Sequence, residues 1–339
     1  VITGVGIVAA QPMADVLAGK KPESGTPEIT GFELPEGAPT WGYEVLDLNL
    51  ETELPNVKSY LDRTSALALV AGKRALTDAG LIDRDKRPAG LDIGCAFGTM
   101  MGCLDAMGIF WTKVKTSNPK FAQPLIFTHG YANSPSSLLC IEHGLRGPAA
   151  TFSGERLAGA EALMFAYDQI SSGAGEAMLV CASESLTQAV WNHFYSSGQL
   201  SAHGEFVSGT ILGEGSVALL LECEDSAKER GAKVLAVLDE VSNDSIRAPL
   251  MKQTWCQVWD GATEGSSVVL LIHPIAGDTL SVEPLLACAV ATQAIANSSV
   301  PSGMPDVEAG RTAIQKVTAA RVVSPAMGGR KIEASIKNS

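Results

Sequence analysis

Residues 147–164, Gly-Pro-Ala-Ala-Thr-Phe-Ser-Gly-Glu-Arg-Leu-Ala-Gly-Ala-Glu-Ala-Leu-Met, have the layout of a strand, a tight bend and a helix. Such a unit lifts a nucleophile over a helix N-terminus. Small residues at Ala149, Ala150 and Ser153 suit a closely packed strand, Gly154 permits the bend, and residues 157–170 follow with helical apolar spacing. The free N–H groups and the dipole at that helix start favour an anion such as a thiolate. Arg156 stands at the bend instead, with the opposite charge. A guanidinium cannot attack a carbonyl, and burying one without a carboxylate costs several kcal/mol.

The other groups able to do chemistry offer less. Cys140 and His143 are three apart on a predicted helix and within reach of each other, yet a cysteine on an apolar helix face reads first as core. Ser153 lies on the strand with no histidine identifiable beside it. His129, His193 and His203 fall in polar, glycine-containing stretches and read as surface or turn residues. Gly94-Cys-Ala-Phe-Gly-Thr lacks the lysine of a phosphate loop, so no cofactor is expected.

These groups must be positioned by a chain of 339 residues, 46% hydrophobic with 34 glycines, long enough for one large domain or two fused halves. No window approaches the ~20 uncharged apolar residues of a membrane span. The start Val1-Ile-Thr-Gly-Val-Gly-Ile-Val-Ala has no basic leader and reads as a strand; the absent methionine reads as a trimmed start, and the expected location is cytoplasmic. Seven scattered cysteines without metal-ligand spacing are expected to be reduced core thiols, with neither disulfide nor metal site. A formal charge of −12 argues against nucleic acid as a partner and makes the chain a poor main dock for an acidic carrier protein.

Periodicity predicts strands at 1–9, 91–96, 177–182 and 216–221, and helices at 64–79, 134–143 and 157–170. A second, shorter round follows. A helix closes at 227–231, strands cover 234–241 and 267–272, a helix covers 285–296, and strand residues 322–323 and 332–336 flank a glycine turn. The pattern is α/β with two related halves, residues 1–222 and a shortened 223–339, integrated in one domain.

Six segments in order resemble the β-ketoacyl synthases of the thiolase fold: Ile2-Thr-Gly-Val-Gly-Ile-Val, Asp62-Arg-Thr-Ser-Ala-Leu-Ala-Leu, Ala75-Leu-Thr-Asp-Ala-Gly-Leu, Gly144-Leu-Arg-Gly-Pro, Leu212-Gly-Glu-Gly-Ser-Val-Ala-Leu-Leu-Leu-Glu and Ala227-Lys-Glu-Arg-Gly-Ala-Lys-Val. The resemblance implies a layered α-β-α-β-α core. It also implies an elbow cysteine that carries the acyl chain and two histidines that drive decarboxylation and hold the oxyanion. At those positions this sequence has Arg156 for the cysteine and Asp278, in Gly277-Asp278-Thr279-Leu280, for the second histidine. His273, followed by Pro274, is the nearest counterpart of the first. Met327 replaces the phenylalanine that gates the acyl pocket in active members.

By that resemblance the chain does not condense, and Arg156 is expected beside Asp278, with Glu155 as a competing partner, in a salt bridge that plugs the former active site. The implied role is that of a chain-length factor. Such a non-catalytic subunit pairs with an active ketosynthase through the strand before the elbow, shapes the acyl tunnel, and meets the acyl carrier protein mainly through that partner, in a type II polyketide or polyene, including aryl polyene, system. Met107, Phe110 and Trp111 are nominated for the tunnel floor; the alternative is a helix packing them into its own core. Two further readings stay open: a thiolase-fold acyltransferase or hydrolase with a non-standard site, and a homodimeric acyl-binding scaffold.

Overall fold

The computed structural model describes the chain apart from residues 19–21, 23–24, 58–59, 83–91, 246–254, 260–266, 272, 300–316, 326–329 and 339. Its described strands form two five-stranded sheets. The first contains β1 (Ile2–Ala9), β2 (Ile93–Thr99), β3 (Ala149–Ser153), β4 (Ala177–Glu184) and β5 (Gly215–Glu222), in the order β1-β5-β4-β2-β3. The second contains β6 (Val237–Ser245), β7 (Trp255–Trp259), β8 (Ser267–Leu271), β9 (Ala319–Pro325) and β10 (Arg330–Lys337), in the order β6-β10-β9-β7-β8. In both, the first strand lies at one edge with the fifth beside it, the fourth is central, and the third closes the far edge. One plan is used twice, and the α/β thiolase-like expectation holds.

The repeat differs in one strand. In the first sheet β4, β2 and β3 run parallel. In the second, β7 is antiparallel to both β9 and β8. Only residues 260–266 separate β7 from β8, and a parallel crossover needs a dozen residues or more. So short a connection makes a hairpin, which reverses β7. Trp259 therefore pairs with Ser267, the first residue of β8, while Trp255 pairs with Leu271, the last. Strand β7 itself was not foreseen in the sequence.

Helices α1 (Met13–Leu17) and α2 (Leu50–Glu53) are short, and α3 (Arg63–Asp78) lies on β1, β4 and β5. After β2 come α4 (Leu104–Thr116), α5 (Pro124–Thr128) and α6 (Ser134–His143). The others are α7 (Ala158–Ser171), α8 (Gln188–Ser196), α9 (Glu224–Glu229), α10 (His273–Ala276) and α11 (Glu283–Ala296). Both α7 and α11 touch strands of each sheet and each other, so they fill the space between the sheets. Strands β2, β4 and β5 are buried along their whole length, as in a sheet covered on both faces. By contrast, β10 alternates, with Ile332, Ala334 and Ile336 buried and the residues between them more open.

Local chemistry sets the helix starts that matter for the site. Asp62 caps α3 by accepting the Thr64 N–H at 2.9 Å, and its other oxygen accepts the Ala106 N–H of α4 at 3.1 Å. One buried carboxylate thus ties two helices together. The start of α7 is Ala158-Gly-Ala, small enough to let the 278–282 turn lie against it. A Cβ at Gly159 would come within 2.2 Å of the Ser281 carbonyl oxygen.

Gly159→Ala is therefore expected to cost about 1–3 kcal/mol, read as a lower urea midpoint. Gly108, in α4, has nothing within 4 Å of such a Cβ, so Gly108→Ala should be neutral or stabilise by up to about 1 kcal/mol. Equal effects of the two substitutions would contradict the packing argument.

Candidate functional site

The elbow is built from the edge strand β3, whose Ser153 pairs with Thr99 at the end of β2. Gly154 follows with φ +117°, a conformation that favours glycine. Its N–H donates to the Thr99 carbonyl at 3.3 Å, and Ala158 N–H donates to the Glu155 carbonyl at 3.1 Å. The bend places Arg156 two residues ahead of α7, with 28% of its side chain exposed. Arg156 Nη2 donates to Asp278 Oδ2 at 2.7 Å, and Nη1 donates to Oδ1. This is a two-pronged pair, planar fork against planar carboxylate.

Asp278 is held by its own backbone. Its N–H donates to the Ile211 carbonyl at 2.7 Å, and its carbonyl accepts the Gly213 N–H at 3.0 Å. Leu280, at φ +53° and thus in an unfavourable region for a branched residue, donates its N–H to Asp278 Oδ1 at 3.1 Å. Burial alone would raise the Asp278 carboxyl, but Arg156, with help from His273, outweighs it and holds the group below the ordinary carboxylate value. The same carboxylate outweighs the burial of Arg156 and keeps its guanidinium charged.

His273 opens α10 and Glu283 opens α11; both are buried. The His273 Nε2 lies against Glu283 Oε1 and is 3.9 Å from Asp278 Oδ1, with the Phe206 ring covering the imidazole at 5.6 Å. Burial opposes the imidazolium, yet Glu283 and Asp278 prevail and raise the histidine above its usual value. Glu283 is itself raised by burial, partly offset by His273. The result is a row of alternating charge: Arg156, Asp278, His273, Glu283.

Ligand-type atoms of His273, Asp278 and Glu283 lie within 4.8 Å of one another. They do not suit a metal ion. Both Asp278 oxygens already serve Arg156, and the two carboxylates face two cationic groups, so an added cation would have to displace the guanidinium. Nor does the elbow present a thiol or hydroxyl. Ser153 is exposed on β3, and Cys140 lies on α6, its thiol lowered by the neighbouring Cys95. The His143 ring nitrogen Nε2 lies 3.1 Å from the Leu69 carbonyl, and burial pushes its imidazole down to about 4. Cys181 and Cys288 are pushed up to about 12 by burial.

Other residues singled out in the sequence lie elsewhere. Glu155 takes Arg330 at 2.9 Å rather than Arg156. Its side chain is on the open side of the bend, where Arg330 also approaches Glu161 at 3.6 Å. Met107 rests on Gly130, and Phe110 packs between Trp111 and Phe127 at ring distances of 5.7 and 4.9 Å. Phe110 also lines a cleft of about 650 Å³ between α4 and α8, and Trp111 is 49% exposed. Met327 lies outside the described residues. His129, expected on the surface or in a turn, lies in the turn that ends α5 and is buried against Tyr60, ring to ring at 5.6 Å, where α5 packs on α4.

Two carboxylates were missed, Glu283 and Glu184. Glu184 ends β4 fully buried; burial raises its carboxyl to about 7 although Met100 N–H, Ser281 Oγ–H and Met101 N–H donate to it. The available signal was an acid closing an apolar strand and another opening an apolar helix at Glu283-Pro284. First-turn acids usually answer the helix dipole in solvent, which hid the second.

Residues 46–227 match the family model for the beta-ketoacyl synthase N-terminal domain. The chain is similar to 3-oxoacyl-[acyl-carrier-protein] synthase 2 of Synechocystis, 27% identical over 250 residues, 69% of this chain and 60% of that protein. It is also similar to the tetracenomycin polyketide synthase ketoacyl synthase beta subunit of Streptomyces glaucescens, 30% identical over 253 residues, 68% and 60%. The chain thus spans 60% of the length of both relatives. A solved structure of the ishigamide ketosynthase/chain length factor superposes with a TM-score of 0.77 at 16% identity, covering 100% of this chain and 98% of that one. A beta-ketoacyl synthase from Burkholderia phymatum gives 0.77 at 17%, covering 100% and 99%. At such identities the structural likeness speaks for the fold, and the sequence match over more than half of the residues speaks for descent: the chain belongs to the beta-ketoacyl synthase family.

Proposed function

We propose that this chain is a non-condensing subunit of the chain-length-factor type. It pairs with a cysteine-bearing ketosynthase, shapes the acyl tunnel during polyketide or polyene elongation, and meets the acyl carrier protein mainly through its partner. The observation that carries this reading is the two-pronged Arg156–Asp278 pair at the elbow. Acyl loading needs a nucleophile there, and a guanidinium bound to a carboxylate plugs the place. Residues 1–222 and 223–339 are read as the two halves of one integrated domain, the second shortened.

The partner surface is read from exposure. Among the described residues β3 pairs on one side only, and Ile109 and Trp111 on α4 and Ile141 on α6 are 48%, 49% and 67% exposed. Exposed large apolar side chains, with α6 touching the edge strand, favour coverage by another chain. On this reading Met107, Phe110 and Trp111 lie at the tunnel floor and limit the chain by bulk, since each further buried methylene gains only about 0.8 kcal/mol. Met327 is assigned to the same tunnel from its sequence position alone.

Three outcomes test the proposal. Co-expressed with a cysteine-bearing ketosynthase, the chain should co-purify one-to-one, and mass spectrometry should find the acyl group on the partner only. An acyl-enzyme formed by this chain alone would favour the acyltransferase reading, and a stable homodimer that ignores ketosynthases the scaffold reading. In the reconstituted pair, Phe110→Ala or Trp111→Ala should lengthen products; unchanged length assigns both residues to this chain's own packing.

Arg156→Leu leaves Asp278 buried without its main counter-charge and is expected to cost about 3–5 kcal/mol at pH 7 in urea denaturation. The folded Asp278 value is depressed, so its contribution is complete above the ordinary value of about 4 and is lost as the pH falls through the lower folded value. The gap between wild type and Arg156→Leu should therefore narrow in acid. An equal gap at pH 7 and in strong acid would contradict the pairing energetics.

A further inference from the structure

Glu184, 1% exposed at the end of β4, joins segments far apart in the sequence. Its carboxylate accepts the backbone N–H groups of Met100 and, at 3.1 Å, Met101, from the turn that leads into α4. It also accepts the Ser281 hydroxyl from the turn that carries Asp278. Within the turn that leads into α4, the Thr99 hydroxyl accepts the Gly102 N–H at 2.9 Å. An ionised carboxylate has acceptor sites for all three donors.

We infer that Glu184 is a positioning residue whose carboxylate fixes the start of α4 against the Asp278–Ser281 turn, and whose protonation loosens that joint. The reason is donor arithmetic. The backbone N–H groups of Met100 and Met101 cannot reverse and lie on different oxygens, so a proton on either oxygen weakens one of those two bonds, whereas the Ser281 hydroxyl can turn and accept. The inference concerns this chain alone and is independent of whether it pairs with a ketosynthase.

Among the described residues no cation is dedicated to Glu184. Among the charged and titratable groups around it, Arg156 on the elbow is committed to Asp278, and Glu283 on the adjoining segment faces His273. Cys103, at the head of α4, is buried, with its thiol raised by that burial. Burial of Glu184 is thus opposed by neutral donors and not by a paired charge, which puts its carboxyl at about 7 and lets both protonation states occur near neutrality. Because α4 carries Met107, Phe110 and Trp111, this joint sets where those side chains sit relative to the elbow.

The test is amide hydrogen exchange on the intact chain from pH 5.5 to 8.5, corrected for intrinsic rates. Protection of Met100 and Met101 should rise with pH through a midpoint near 7. Glu184→Gln should flatten that profile, whereas a merely structural loss would lower protection equally at every pH. Should Glu184→Gln fail to fold, Ser281→Ala serves: it removes a donor to the ionised form, so the midpoint should move up, by about half a unit to one unit. A flat wild-type profile, a transition that persists in Glu184→Gln, or a Ser281→Ala midpoint that stays or falls would overturn the inference.

Discussion

A guanidinium withdrawn from water at the bend between β3 and α7 must find its counter-charge on the spot, and the surrounding chain is arranged to supply it. Asp278 can meet both arms of Arg156 only because its backbone is pinned between Ile211 and Gly213, and because Leu280 accepts φ +53° to send its N–H back to the same carboxylate. Beside Asp278, Glu283 is a second buried acid. His273 lies between the two carboxylates. Each group makes the next tolerable, so the row is better understood as a unit than as separate pairs.

The doubled sheet plan explains why these residues meet at all. The third strand of each half ends at the site: β3 delivers Arg156, and β8 delivers His273 and then Asp278. Helices α7 and α11 follow those strands into the shared middle layer, so two distant segments converge. Reversal of β7 sets its last residue, Trp259, opposite the first residue of β8, Ser267. The second half therefore serves the elbow through residues 273–283. A short connection, and not only a substituted side chain, sets what this half brings to the site.

Legibility in the sequence followed the physics of each signal. Helices such as Ser134–His143 and strands such as Gly215–Glu222 were readable because local periodicity and turn residues determine them. The wrong charge at Arg156 was readable because a bend over a helix start has one favourable sign. Strand β7 was not, because its pairing depends on partners distant in sequence and on a connection too short for a crossover. Glu184 and Glu283 escaped for a related reason: an acid at the end of a strand or the start of a helix is ordinarily solvated, and only tertiary packing buried these two. His129 does lie in a turn, and packing buried it too.

Why an ion pair should occupy the elbow is a question of specificity more than of stability. Apolar side chains of similar volume would fill the space at equal or lower free energy, since desolvating two charges offsets most of their attraction. Apolar contact, however, tolerates sliding, whereas a fork matched to a carboxylate permits one orientation and one separation. Arg156 precedes α7 and Asp278 precedes α11, so their pairing fixes the starts of the two middle-layer helices relative to each other. The close approach of Gly159 to the Ser281 carbonyl needs the same alignment. An elbow closed in this way holds β3, α7 and the 278–282 turn in a single arrangement.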